Sequence, residues 1–266
     1  MAAGIPGRRL CYNQQEADMH ITITGRTGSG KTTISKLIRD QLGYERYSTG
    51  EYQREIALKM GVNMVEMNEI MHDNLSYDHM IDSTVERVSR ERADDNIIFD
   101  SRMAWHFAVK SFKIFVSIDP EVAGQRVFND PRSEEPYTSA EEATKQLVIR
   151  SDAENMRFRT IYGVDNYDYA NYDLILDTTY SSIDDYIPII KEALDAYVAD
   201  PEAYRRRIYI SPKSLIILGD AGTSDNEPIT VIPYKLKHFT VTGKAAVQRA
   251  LKAGQKYVIA DIPEIK

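Results

Sequence analysis

Short apolar runs alternate along the chain with longer stretches whose apolar positions recur every three or four residues. The runs span 20–24, 44–47, 96–99, 112–118 and 172–176, each bounded by Gly, Asp, Asn or Pro. Runs so short and so little interrupted predict strands buried on both faces. The stretches between them predict helices over 31–42, 50–60, 63–74, 77–92, 120–128, 139–161 and 182–198. Ser139 followed by Glu142 fits a capping box at the start of the longest one. Strand and helix alternating in this way predict the α/β class, a five-stranded parallel sheet between two helical layers.

The pattern changes after Asp200-Pro201. Strand-like runs at 208–210, 215–218, 229–233 and 239–241, a helical stretch at 244–253 and a last run at 257–262 predict a small α+β unit. The expected organisation is therefore a leader over 1–18, a main domain over 19–200 and a small domain over 206–266. Residues 1–200 hold 22 basic and 34 acidic side chains, a net −12, whereas residues 201–266 hold 11 basic and 6 acidic, a net +5. The sign change suits two modules with different tasks. No run approaches the eighteen apolar residues that a membrane-spanning helix needs. Cys11 is the only cysteine, which excludes an internal disulfide and a cysteine-built zinc site and suits a reducing cytoplasm. The leader has Arg8 and Arg9 but no apolar core, so it reads as disordered chain rather than a signal peptide.

The chemistry begins at Gly25-Arg-Thr-Gly-Ser-Gly-Lys-Thr32, which satisfies G-x-x-x-x-G-K-[ST] between a predicted strand and a predicted helix. Glycines let backbone N–H groups turn inward around phosphate oxygens. Gly25, Arg26, Thr27, Gly28, Ser29, Gly30, Lys31, Thr32 and Thr33 are thus the expected ATP-binding set, with Lys31 on the phosphates and the Thr32 hydroxyl on Mg²⁺. A GTPase would need [NT]-K-x-D, which is absent, and the only D-x-x-G near the loop, Asp40 to Gly43, ends the first helix. Arginines at regular stations suit a second phosphorylated substrate lying against the first.

Several of these pieces occur together: the loop with Ile21–Thr24 before it, Ser48-Thr-Gly-Glu-Tyr-Gln-Arg-Glu55, Ile97-Ile-Phe-Asp-Ser-Arg102, Arg150 to Arg157, and Tyr172-Asp-Leu-Ile-Leu-Asp-Thr178. In this set, residues 19–198 resemble the cytidylate kinase family, particularly its short archaeal-type members. The resemblance implies an ATP- and Mg²⁺-dependent nucleoside monophosphate kinase acting on CMP, dCMP or a related pyrimidine nucleotide. It implies Lys31, Arg102, Arg150 and Arg157 as catalytic residues. Ser48, Gly50, Arg54, Arg102, Glu154 and Arg157 would hold the acceptor. Asp100 would organise Mg²⁺ with Thr32. Residues 126–150 would form a lid, with Arg126 near the adenine and Arg132 a further lid cation.

There are departures from the family pattern: Ser101 stands where Gly is usual, Ser151 where an acid is usual, and the long insert of bacterial members is missing. Asp177 reads equally as a family position or a turn, and Trp105 and His106 read as packing residues. Two alternatives stay open, a kinase for a modified nucleotide or a nucleic-acid hydroxyl, and a non-catalytic ATP-binding regulator. Residues 208–262 weakly resemble the ParB/sulfiredoxin-like fold without its acid and paired histidines. The basic tail leaves nucleic acid as an alternative partner, and a monomer or homodimer is expected.

Overall fold

The structure is a computed structural model that describes residues 19–74, 76–130, 137–219, 227–234 and 237–263. The leader and Arg132 lie outside the described residues.

A strand in the middle of a parallel sheet is covered on both faces, and β1 (His20–Gly25) is buried at every position, its polar His20, Thr22 and Thr24 included. Flanking it are β2 (Glu45–Ser48), β3 (Ile97–Asp100), β4 (Ser111–Ser117) and β5 (Leu174–Asp177), all parallel to their neighbours. The side chains alternate between two cores. On one face α1 (Lys31–Leu42) and α8 (Tyr186–Ala199) cover Ile21, Ile23, Ile114, Val116, Leu174 and Leu176. On the other, Val85 of α4 (Ser76–Glu91) and Ala104 of α5 (Ala104–Phe107) pack on Ile97 and Phe99, while Trp105, Phe115, Tyr172 and Ile175 form a second cluster. The remaining helices of this part are α2 (Thr49–Met60), α3 (Met64–Asp73), α6 (Pro120–Phe128) and α7 (Ala140–Tyr162). Ser139 caps α7 as expected, accepting from the Glu142 N–H at 3.1 Å, while the Glu142 carboxylate reaches back to Thr138. Gly124 lets α6 lie directly on α7, since a Cβ there would meet the Thr144 nitrogen at 2.8 Å and the Ala140 carbonyl oxygen at 2.9 Å.

The expectation of five strands needs correction. Among the described residues the main sheet has seven, in the order β10-β6-β5-β4-β1-β3-β2. The two additions are β6 (Arg207–Ile210), parallel to β5, and β10 (Val258–Ala260), antiparallel to β6. Their origin in the C-terminal segment has a physical reason. Without them β5 would be an open edge, and buried Ile208, Tyr209 and Ile210 continue the two cores already begun. The rest of that segment forms a three-stranded sheet, β7 (Leu215–Ile217), β9 (Lys237–Thr242) and β8 (Thr230–Tyr234) in that order, followed in the chain by α9 (Lys244–Lys252). Val231 and Val247 join the second core cluster with Trp105 and Phe115. Ser214 donates to Asp177, Lys237 pairs with Asp119, and Tyr169 Oη lies 2.8 Å from His238 Nε2. Arg206 donates to the Tyr172 and Ala170 carbonyls, both at 2.9 Å, so this part of the basic linker fastens the two parts together.

A chain truncated after Asp200 should therefore expose the β5 edge and strip apolar cover from Phe115 and Trp105. The expected outcome is a lower melting temperature and aggregation, measured by thermal unfolding and light scattering against the full chain.

Candidate active site

The phosphate loop is placed by backbone contacts that only glycine permits. Gly25 has φ +154°, and a Cβ there would sit 2.3 Å from the Val116 carbonyl oxygen, so β1 and β4 deliver the loop at their shared carboxyl ends. Gly30 (φ +87°) turns the chain into α1, whose first residue is Lys31. The helix thus presents its N-terminus and the Lys31 amine to the same space.

That space is a cavity of about 270 Å³. Thr27, Lys31 and Thr32 line it from the loop, and Ser48, Gly50 and Arg54 from the start of α2. Asp100 and Arg102 enter from the end of β3, and Arg150, Glu154 and Arg157 from α7. Positions 150, 154 and 157 share a face because of the helical period, and α7 aims that face at the loop. The expected catalytic and acceptor residues are thus brought together.

The electrostatics explain how so many cations coexist. Glu154 pairs with Arg102 and also accepts from Arg150 Nε at 3.3 Å. Burial, and then Arg150, pulls the Arg102 guanidinium below its usual range. Burial also lowers Lys31, helped by Arg102 and Arg150 and opposed by Asp100. Although burial works against it, the Lys31 charge and Arg46 hold the Asp100 carboxyl below its ordinary value. Arg46 donates to Asp100 Oδ2 at 2.6 Å, to Ser35 Oγ at 2.8 Å and to Glu51 at 2.7 Å. Nothing in its sequence context marked it, since it lies on β2 outside every motif. Arg54, exposed at the cavity's rim, has no ion-pair partner among the described residues.

Two carboxylates that line the cavity were also missed, Asp78 and Asp82 on α4. Their four-residue spacing is the only signal available, and it reads as an ordinary amphipathic helix. Both are buried. Asp78 Oδ1 accepts from Arg157 Nη2 at 3.2 Å, and Asp82 Oδ2 accepts from the Tyr162 hydroxyl at 2.6 Å. Burial pushes the Asp82 carboxyl up to about 7, against the Tyr162 bond and aided by the Asp78 charge.

Other expected residues lie elsewhere. Arg26 leaves the cavity and stacks on the Tyr167 ring, 3.7 Å from its centre. Arg126 donates to the Thr178 carbonyl at 2.6 Å and the Gly28 carbonyl at 3.4 Å, which fastens it beneath the loop. Ser29 is fully buried, and Thr33 is exposed on α1. Asp177 accepts from the Thr179 N–H and hydroxyl and from Ser214, a turn and tether role. Trp105 is core, its Nε1 donating to Asn166 at 2.5 Å.

The model of the cytidylate kinase-like family aligns with residues 20–180. The chain belongs to that family. It is thereby a nucleoside monophosphate kinase-like phosphotransferase. A cytidylate kinase of Natronomonas pharaonis is 31% identical over 188 residues, 69% of this chain and 93% of that protein. One from Archaeoglobus fulgidus is 28% identical over 178 residues, 66% of this chain and 95% of that protein. An S-adenosylmethionine-dependent nucleotide dehydratase of Lacinutrix mariniflava is 33% identical over 159 residues, 59% of this chain but only 32% of that protein. In fold, the kinase-like part resembles the crystal structure of an uncharacterized protein from Eubacterium ventriosum, with TM-score 0.50, 16% identity and coverage of 67% and 99% of the two chains. Among the described residues no helix is long and apolar enough to cross a membrane.

The raised Asp82 carboxyl has a consequence for stability. Between its ordinary value near 3.8 and about 7, the unfolded chain loses the proton while the folded chain keeps it. Folding therefore weakens as pH rises through that window. Asp82→Asn should remove this dependence, so its melting temperature relative to the parent should be higher at pH 8 than at pH 5, read by calorimetry.

Proposed function

We propose that this cytidylate kinase-like chain transfers the γ-phosphoryl group of ATP to a pyrimidine nucleoside monophosphate, CMP, dCMP or a related nucleotide, giving the diphosphate. One observation carries the reading: a single cavity gathers the phosphate-loop Lys31 with Arg54, Arg102, Arg150 and Arg157. Four arginines beyond the loop exceed what one triphosphate needs, and they suit a second anion held end to end with the first.

In this reading the loop backbone and Lys31 hold the ATP phosphates, and Ser48, Gly50, Arg54, Arg102 and Arg157 hold the acceptor phosphate. Arg150 spans the two. Glu154 keeps Arg102 and Arg150 aligned and is available to the acceptor's nucleoside. An ionised acceptor oxygen attacks the γ-phosphorus while the bond from that phosphorus to the bridging β-oxygen breaks, and ADP departs. The attacking oxygen carries no proton at neutral pH, so no base is required. The chain supplies alignment and charge neutralisation. The Thr32 hydroxyl and the ionised Asp100 carboxylate share the cavity, and such hard oxygen donors fit Mg²⁺. When bound, Mg²⁺ would neutralise phosphate charge.

Measured by coupled ADP release over all ribo- and deoxyribonucleoside monophosphates, turnover should appear with CMP or dCMP, and no acceptor-dependent turnover would exclude the reading. Lys31→Ala should lower kcat by at least about 10²-fold, the order expected for loss of one group that stabilises developing charge. Arg157→Ala should cost about 2–4 kcal/mol in kcat/KM for the acceptor while leaving the KM for ATP nearly unchanged.

A further inference from the structure

The phosphate loop is held from behind by two corners of the chain. The first is the turn from β4 into α6, residues 117–119. Asp119 caps that helix, its Oδ1 accepting from the Glu121 N–H at 2.9 Å. Helix α6 lies so close to the loop that a Cβ on Gly28 would sit 3.0 Å from the Ala123 carbonyl oxygen. The second corner follows β5, where the Thr178 hydroxyl donates to the Ser29 carbonyl at 2.9 Å. The corners are joined to each other: the Asp119 N–H donates to Thr179 Oγ1 at 3.0 Å, and the Thr178 N–H to the Ser117 carbonyl at 2.9 Å. Arg126 of α6 adds its bonds to the Gly28 and Thr178 carbonyls.

The C-terminal segment grips both corners. Lys237, the first residue of β9, pairs with Asp119 Oδ2, the oxygen that the helix cap does not use. Its neighbour His238 is buried, with Nε2 2.8 Å from Tyr169 Oη, which in turn lies 3.2 Å from Ser117 Oγ. Ser214 donates to Asp177 Oδ2, while Asp177 Oδ1 accepts from the Thr179 hydroxyl at 2.5 Å. A contact that served stability alone could lie anywhere on the shared face. The pair of Arg207 with Glu192 is of that kind, set at the amino ends of β5 and β6. Lys237, His238 and Ser214 instead converge on the few residues that carry the loop.

We propose that Lys237 is a positioning residue for phosphoryl transfer: through Asp119 it fixes the corner on which the phosphate loop rests, and the small sheet β7-β9-β8 is the loop's brace. The proposal goes beyond the acceptor reading and rests on the loop as the ATP site. Transfer needs the loop N–H groups and Lys31 accurately placed, and a displacement of roughly 1 Å can cost about 10²-fold in rate. Without the Lys237 charge, a part-buried carboxylate at the start of α6 loses its partner and the corner relaxes. The acceptor side is built from α2, the end of β3 and α7, none of which takes part in these bonds. The effect therefore falls on ATP.

The test measures equilibrium binding of ATP with Mg²⁺ by calorimetry, and the KM values for ATP and CMP, in the full chain and its variants well below their melting temperatures. Lys237→Met should weaken ATP by about 2- to 30-fold, the range that a coupled contact network carries, with the KM for CMP nearly unchanged. Asp119→Asn keeps a capping side chain but removes the charge, and should do the same. The double variant should lose no more than either single one, and Lys237→Arg should restore most of the loss. Arg207→Met should leave ATP binding as it is. A Lys237→Met chain that melts earlier yet binds and uses ATP like the parent would make Lys237 a stability tether only and overturn the proposal. Equal losses on ATP and CMP, or the same ATP loss in Arg207→Met, would overturn it too. If Lys237→Met does not fold, Ser214→Ala, which releases the second corner, is judged by the same criteria. A parent that binds no ATP overturns the donor-site reading itself, and calorimetry on the parent separates that failure from failure of the brace.

Discussion

The structure depends on how buried positive charge is balanced. Five cations and four carboxylates line one small cavity, and the buried charges among them are tolerable because most have an opposite charge close by. Glu154 lies between Arg102 and Arg150, Asp78 against Arg157, and Asp100 between Lys31 and Arg46. These pairs keep the cavity intact, yet burial, with the neighbouring arginines adding to it, leaves Lys31 and Arg102 with depressed proton affinity.

The rest of the fold positions those charges. Strand β1 brings the loop to its place because Gly25 lets the backbone touch Val116. Helix α7 carries three of the cavity's charged groups on one face, and the close crossing at Gly124 sets its distance from α6. On the far side of the sheet, the C-terminal segment adds two strands and a small sheet that seal the aromatic cluster around Phe115 and Trp105. The excess of basic residues in that segment is partly consumed in this task. Arg206 serves backbone carbonyls, Arg207 pairs with Glu192, and Lys237 and Lys256 reach Asp119 and Asp185 of the acidic part. The opposite net charges of the two parts thus have a structural use.

Most elements were legible because their periodicities are strong. Helices 31–42 and 120–128 match their predicted bounds, and the five parallel strands fall within two residues of expectation at each end. The loop and the arginine stations were legible because spacing itself encodes a helical face or a strand-end turn. The sixth and seventh strands were not, since an apolar run does not name its neighbour, and the same run at 208–210 would suit either sheet. Arg46, Asp78 and Asp82 escaped for a related reason. A charged residue on a strand or helix ordinarily faces water; Asp100 and Ser35 draw Arg46 inward, and the packing of α4 against α7 turns Asp78 and Asp82 into the cavity.

By itself, then, the sequence determined the local chemistry: a phosphate loop, arginines on one face of a long helix, and strand–helix alternation that admits one class of fold. These follow from rules that act within a dozen residues, such as backbone sterics at glycine and the periods of helix and strand. Tertiary structure decided which carboxylate balances which cation, where the C-terminal strands join, and which side chains wall the cavity. Those outcomes depend largely on contacts between residues far apart in the chain, among them Arg46 with Asp100 and Arg157 with Asp78. Coulombic and packing energies act through space, and no local pattern records them.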